Sequence, residues 1–464
     1  MNAALLTILI PCLGALGVCF SPKKYKAFLA SAALLSAFTA SIFAIPFVYA
    51  HKELYCAYAV TPWFTLSFVV DGLAVFMACV SSCVAFVISL YAFEYMKHYD
   101  DAGVFYFWMT LFVGAMMGLI FSGNLMLMFC FWEVTSVCSW RLIAFYRKET
   151  DVEAADRAFL ITFFAASLML VGIIFIYFTY GTLEIVALRG TSLNLMVSLL
   201  LLAGIISKSA QLPLHTWLPD AGVAPTPVTA LLHAAVLVKI GVYVFARLFG
   251  LTFIATAAFL NIVLYVSIAT IIVGGALAFI ERNMKRILAY STISQLGYIL
   301  LIFSLNTRMA FLFGLVYIVA HSIGKAGLFL CAGIVEHKTG VKDVNELGGL
   351  AKTMPYTAAA YLLCAFSIIG LPPFLGFWPK FMAVVSSLQQ AHTVIAFFMV
   401  FGALLTLLYL MRLFEKVFLG TKKTSADEQD SPVMVSVVGA LGVASLVLGF
   451  AIRPLFNFLS ALVQ

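Results

Sequence analysis

The sequence predicts an all-α integral membrane protein of about 14 transmembrane helices, at roughly 20 residues per span, with two inverted five-helix repeats and broken helices 7 and 12. Three observations predict it. Hydrophobic residues make up 64% of the 464 and charged residues only 10%, where a soluble domain carries about 25% charged residues. The apolar runs recur at membrane-spanning length from end to end. Two of those runs are broken by proline beside a lysine, one in each half of the chain.

The spans fall near residues 2–20, 27–50, 67–93, 104–121, 124–146, 156–180, 192–218, 227–249, 252–280, 286–304, 309–335, 354–382, 391–418 and 432–455. The first has no cleavage-site pattern and runs on into further spans, so it reads as a retained helix and not a signal peptide. The seventh is interrupted at Lys208-Ser-Ala-Gln-Leu-Pro213. The twelfth is interrupted from Gly370-Leu-Pro372-Pro373 to Gly376-Phe-Trp-Pro-Lys380. Proline removes a backbone donor and clashes with the turn before it, so the helix opens there. Backbone groups freed at membrane depth are tolerated only against protein or a watery cavity. Broken helices at corresponding places in two halves point to repeats with sites at them, and an odd number of spans per repeat makes the repeats inverted. The expected organisation is helices 1–3 over 1–103, a first repeat over 104–250, a second over 251–420, and a C-terminal loop and helix over 421–464. The longest polar stretch, Lys422 to Ser431, reads as a solvated loop, and no soluble domain is left over.

Charge placement orients the spans. Lys23, Lys24, Lys26, Arg147, Lys148 and most other loop bases follow odd-numbered helices. Only Lys52, Arg189, Arg247, Arg308 and Arg453 fall on the opposite side. By the positive-inside rule the odd loops are cytoplasmic and both termini lie outside a cytoplasmic (inner) membrane. The net charge of +7 is therefore topology, and no basic patch interleaved with aromatics suggests nucleic acid.

Six charges sit inside the apolar runs: Lys208, Lys239, Lys325, Lys380, Arg141 and Glu133. A charge at the bilayer centre costs roughly 2.5–3.5 kcal/mol on insertion scales, so the four lysines imply a penalty on the order of 10 kcal/mol. A structural anchor has no reason to carry it. Desolvation disfavours an ammonium, so a lysine in a dry site can release its proton. Such groups strung through a membrane read as a proton route. The nine cysteines include no CxxC pair and read as small apolar fillers, not metal or iron–sulfur ligands. His233 and His321 each lie near a lysine, a poor setting for haem. There is no Gly-rich phosphate loop and no nucleophile–base–acid set. The chain is expected to hold no metal or cofactor and to do no covalent chemistry of its own.

The densest motif runs from Gly204-Ile-Ile-Ser-Lys-Ser-Ala-Gln-Leu-Pro to Ala224-Pro-Thr-Pro-Val-Thr-Ala-Leu-Leu-His233 and on to Lys239-Ile-Gly-Val-Tyr243. It resembles the signature of the antiporter-like subunits shared by respiratory complex I (L, M and N types), Mrp sodium/proton antiporters and energy-converting [NiFe] hydrogenases. Cys130-Phe-Trp-Glu133, Tyr290-Ser-Thr-Ile-Ser-Gln-Leu-Gly-Tyr298 and His321-Ser-Ile-Gly-Lys325 match further motifs of that family. The resemblance covers helices 3 to 13. The stretches Glu133–Trp140 and Ser207–Leu248 are most similar to the D subunit of hydrogenase-4 or formate-hydrogenlyase complexes. One departure is Val223, where many relatives carry an acid before the Pro-Thr-Pro run, so an ion-entry role is not carried over there.

The resemblance implies a non-catalytic subunit of a membrane-bound oxidoreductase complex, moving H⁺ or else Na⁺ along a central relay. Glu133 and Lys208 would be the interacting pair, followed by His233 and Lys239. His321 and Lys325, four apart on one helix face, would continue the line to Lys380. Pro213, Pro372 and Pro373 would open the helices. Other membrane subunits and a peripheral redox arm would be the partners, with Ni–Fe and iron–sulfur centres in those partners. The alternatives are a subunit of an Mrp-type Na⁺/H⁺ antiporter, a stand-alone secondary transporter, and a haem- or quinone-binding subunit. Blander roles also stand beside some residues. Lys380 and Arg141 can snorkel to an interface, Asp71 can end a helix, and His215 and Asp220 can bond the broken loop.

Overall fold

A computed structural model describes residues 2–51, 53–61, 64–421, 423 and 431–463. It is all-α in its spans. Eleven described helices are long and apolar enough to cross a membrane, and three shorter apolar helices, Ala4–Phe20, Leu195–Lys208 and Pro355–Ile369, accompany them. They occupy the fourteen places expected from hydropathy. The loop expected over Lys422–Ser431 lies, apart from Lys423 and Ser431, outside the described residues.

The chain forms two compact units. The first comprises Met1–Ser209, Ala235–Ile262 and Asn457–Gln464. It holds helices α1 (Asn2–Phe20), α2 (Lys23–His51), α3 (Gly72–Tyr95), α4 (Ala102–Phe121), α5 (Leu125–Ile143), α6 (Glu149–Tyr180) and α7 (Leu195–Lys208). Strands β1 (Glu53–Thr61) and β2 (Phe64–Asp71) precede α3 and pair antiparallel, with Glu53 opposite Asp71. The third span was expected from residue 67, and the structure corrects this to Gly72. The apolar run there begins in β2, whose β-branched and aromatic residues favour a strand, so hydropathy alone merged strand with helix.

The second unit comprises Ala210–Ala234 and Val263–Phe456. After the seventh-span break come α8 (Trp217–Asp220) and α9 (Thr226–Ala230), a π-helical turn at Leu231–Ala235, and α10 (Leu237–Phe245), which returns to the first unit. Then follow α11 (Ala257–Ile280), α12 (Met284–Ser304), α13 (Arg308–Thr339), α14 (Pro355–Ile369), α15 (Phe377–Gln389), α16 (Thr393–Phe418) and α17 (Pro432–Phe450). The last span ends at Phe450, not near 455, and a separate short helix α18 (Ile452–Leu462) follows, burying Leu459 and Leu462.

Side-chain caps start the site-bearing helices. Asn124 accepts from Met126 N and Leu127 N and donates to Glu184 Oε1 at 2.7 Å, fixing the start of α5. Asn283 and Thr307 cap α12 and α13 in the same way. Loop contacts sort by parity within each unit. In the first unit, loops after even-numbered spans meet through Asn124–Glu184, Asp71–Arg247 and Glu53–Arg189. Those after odd-numbered spans meet through Lys23–Asp100 and Tyr99–Tyr146. In the second unit the odd loops meet through Asp220–Arg286 and Asn283–Asp343, and Gln390 of an even loop bonds Leu305 O. Helices that alternate across a slab require this sorting.

Candidate functional site

Both expected breaks are present. α7 ends at Lys208 and the chain runs irregularly through Pro213 to Trp217. α14 ends at Ile369 and α15 begins at Phe377, with Pro372 and Pro373 between them. Gly370 adopts φ +89°, the left-handed conformation that ends a helix with least strain on glycine.

In the first unit Lys208 is wholly buried. Its Nζ donates to Ser136 Oγ at 2.7 Å and to Thr135 Oγ1 at 3.3 Å, and lies 5.6 Å from the centre of the Trp132 ring. All three partners belong to α5. Glu133 lies one turn before Ser136, half-buried, with its Oε1 lacking a hydrogen-bond partner among the described residues. The two expected partners thus share one helix neighbourhood, and Lys208 is the base whose field reaches Glu133. The ammonium itself rests on hydroxyls. Lys239 is wholly buried on α10, two residues before Gly241. A methyl at Gly241 would lie 2.3 Å from Ile205 O and 2.0 Å from Ser209 Oγ, so α10 and α7 pack backbone to backbone there.

In the second unit His233 is wholly buried in the π-helical turn. Its ring centre is 4.3 Å from that of Phe329, and neither ring nitrogen has a hydrogen-bond partner among the described residues. His321 and Lys325 are wholly buried on α13. Lys325 Nζ donates to Ser291 Oγ at 2.5 Å and to Leu288 O at 3.2 Å. Lys380 turns inward: Nζ donates to Ile368 O at 2.8 Å and Ile369 O at 3.2 Å, carbonyls freed where α14 stops. It also faces the Tyr298 and Tyr317 rings at 4.8 and 5.9 Å. An interfacial snorkelling residue would point the other way. Its stem passes over Gly370, where an added Cβ would come within 2.9 Å of Lys380 Cδ.

The remaining charges take the blander roles. Arg141 lies in the last turn of α5 on the Trp108 and Trp140 rings. His215 Nδ1 lies 3.2 Å from Pro213 O, and Asp220 pairs with Arg286 at 2.7 Å. Asp71 caps α3, accepting from Ala74 N at 2.9 Å. It also takes two hydrogen bonds from Arg247, a residue that sequence reasoning placed in a loop and that is in fact buried in the last turn of its span. Among the described residues no three His, Cys, Asp or Glu come together as a metal site.

Sequence reasoning missed Ser136 and Ser291, which take the ammonium groups of Lys208 and Lys325, Tyr317, whose ring faces Lys380, and Gln295 and Tyr409, which bond one another beside Ser291. Ser291 and Gln295 lie four apart on one face of α12, inside a motif already singled out, and that spacing is the one signal available. Nothing in the local sequence marks Tyr409.

The chain is similar to known proteins. A family model described as "NADH:quinone oxidoreductase/Mrp antiporter, TM" matches residues 122–406. One described as "NADH-Ubiquinone oxidoreductase (complex I), chain 5 N-terminus" matches 61–107. The chain is 34% identical to the Na(+)/H(+) antiporter A subunit of Alkalihalophilus pseudofirmus, over 82% of this chain and 51% of that protein. It is 34% identical to NAD(P)H-quinone oxidoreductase chain 5 of Synechocystis sp., over 80% and 57%. It is also 34% identical to the F(420)H(2) dehydrogenase L subunit of Methanosarcina mazei, over 83% and 64%. The chain spans about half the length of several relatives it matches. Its fold is that of a chain in the Mrp complex from Dietzia sp., with a TM-score of 0.91 at 24% identity, covering 100% of this chain and 97% of the other.

Proposed function

The chain belongs to the family of membrane subunits common to NADH:quinone oxidoreductases and Mrp antiporters, and we propose that it moves protons across a membrane as one subunit of a larger complex. The carriers in this reading are Glu133, Lys208 and Lys239 in the first unit and His233, His321, Lys325 and Lys380 in the second. One observation carries it: the buried ammonium groups of Lys208 and Lys325 each donate to a serine hydroxyl. A carboxylate in that place would hold the lysine charged. A hydroxyl both accepts and donates, so it serves the ammonium and the neutral amine alike, and the proton can come and go without breaking the packing. Glu133, one turn away, supplies the field that biases the exchange.

We read the driving force as redox chemistry in partner subunits, of the energy-converting [NiFe] hydrogenase or complex I kind, with nickel–iron and iron–sulfur centres held there. The similarity of Glu133–Trp140 and Ser207–Leu248 to hydrogenase D subunits supports this driver. A second reading, Na⁺/H⁺ antiport in an Mrp-type assembly, is favoured by the likeness to antiporter A subunits. In either case the odd-numbered loops face the cytoplasm and both termini face outward, as the distribution of basic residues supports.

The test is purification through a tag on this chain, followed by reconstitution into vesicles holding a pH-sensitive dye. Lys208→Ala and Glu133→Ala should each abolish proton movement while the complex still assembles. Wild-type movement in both variants would refute the reading. A nickel–iron protein among the co-isolated chains selects the redox driver, and a sodium gradient sufficient to move protons selects antiport.

A further inference from the structure

A hydrogen-bonded run in the second unit leads from Lys325 to a group with no role so far. Lys325 Nζ donates to Ser291 Oγ at 2.5 Å, and Ser291 Oγ donates to Tyr409 Oη at 2.8 Å. The same phenol oxygen accepts from Gln295 Nε2 at 3.2 Å. Gln295 is held in that orientation from both ends: Nε2 also donates to Thr406 Oγ1 at 3.1 Å, and Oε1 accepts from Tyr317 Oη. All of these side chains are buried, on α12, α13 and α16.

We propose that Tyr409 is the proton partner of Lys325, exchanging a proton with it through the Ser291 hydroxyl. The inference rests on the proton-moving reading above. Two donors converge on the Tyr409 oxygen, and an amide NH₂ can only donate, which is the donor set a phenolate requires. The exchange balances within the three residues. A Lys325 N–H bond breaks as that proton bonds Ser291 Oγ, while the hydroxyl's own proton passes to Tyr409 Oη. The ammonium–phenolate pair becomes an amine–phenol pair, and both states are neutral overall. Free lysine and tyrosine hold their protons with affinities of about 10.4 and about 10, so in water the two states would be closely matched; burial disfavours both charges and makes the amine–phenol pair the resting one. A carboxylate, at about 4, would leave the lysine charged. Ser136 and Ser291 each take the ammonium of a buried lysine. The phenols of Tyr298, Tyr317 and Tyr361 lie within electrostatic reach of Tyr409, and its hydrogen-bonded link to an ammonium runs through Ser291.

The test uses the tagged complex in dye-loaded vesicles with Tyr409→Phe, Ser291→Ala, Ser291→Thr, Lys325→Ala and Lys208→Ala. Tyr409→Phe and Ser291→Ala should slow proton movement about tenfold or more, in the range removal of a proton-transfer group produces, and Ser291→Thr should restore most of it. Infrared difference spectra of the complex with ring-labelled tyrosine, between about pH 6 and about pH 10 around the phenol's ordinary value, should show a phenolate band. That band should be lost in Tyr409→Phe and altered in Lys325→Ala. This second readout decides the matter even where a slow variant assembles poorly. Wild-type rates in Tyr409→Phe or Ser291→Ala with Lys325→Ala inactive, or a phenolate band indifferent to both substitutions, would overturn the inference and leave the proton-moving reading standing. Wild-type rates in both lysine variants would instead remove that reading.

Discussion

Asp71→Asn isolates the tie between the hairpin and the end of the eighth span. Asp71 accepts from Arg247 Nη2 at 2.8 Å and from Nη1, with side-chain exposures of 13% and 3% for the acid and the base. Arg247 Nε and Nη2 also donate to Tyr243 Oη, at 3.2 and 3.1 Å, and Tyr243 donates to Ile120 O at 2.5 Å. Asparagine keeps the shape and the cap on Ala74 but leaves the guanidinium without counter-charge. Breaking a buried pair from one side costs about 3–5 kcal/mol. The retained cap and the Tyr243 bonds place this case near 3 kcal/mol, about 100-fold in the rate of heat inactivation if the whole of it is felt in the unfolding barrier. Adding Arg247→Met should recover most of the loss, because a pair removed together leaves no orphan charge. The assay is the inactivation half-life of the detergent-purified protein, followed by gel filtration. pH gives an independent handle. Burial works against the ionised Asp71, but the Arg247 guanidinium outweighs it and holds the carboxyl below its ordinary value. A folded-state value below the unfolded one stabilises above about pH 4 and is lost as pH falls further. The gap between wild type and Asp71→Asn should therefore be constant at neutral pH and close in acid. Equal half-lives at neutral pH, or a gap that widens in acid, would refute the assignment.

Two further substitutions probe the close approaches at the site. Gly241→Ala places a methyl 2.3 Å from Ile205 O, a backbone atom that cannot swing aside. α10 must then part from α7, at about 1–3 kcal/mol for overpacking, and proton movement in vesicles should fall together with thermal stability. Gly370→Ala combines a left-handed φ of +89° with a contact of 2.9 Å on the Lys380 stem, costing about 1–3 kcal/mol. It should lower proton movement more than stability, because it displaces Lys380 from the Ile368 and Ile369 carbonyls. A variant that transports at the wild-type rate would show that Lys380 does not need those carbonyls.

The spans were legible because hydropathy reports burial in lipid directly, and the lysines because a charge among apolar residues is conspicuous. The same signal failed where two kinds of structure share one composition. The apolar run through Phe64–Asp71 is a strand that flows into α3, and the run past Phe450 hides a separate helix. Arg247 was counted among loop charges because it lies near a span's end, and its partner Asp71 is 176 positions away. The hydroxyls were harder still. Serine and threonine are common in membrane helices, and in many places here they simply bond the turn before them, as Ser82 and Thr162 do. What distinguishes Ser136 and Ser291 is an ammonium brought from 72 and 34 positions away, and Tyr409 stands 118 positions from the hydroxyl it meets. The costly groups can thus be found by their cost, whereas the hydroxyls that receive them acquire meaning only from the fold. A carboxylate would hold a buried lysine charged and a hydroxyl can serve either of its protonation states, and the two settings are indistinguishable until the facing helix is known.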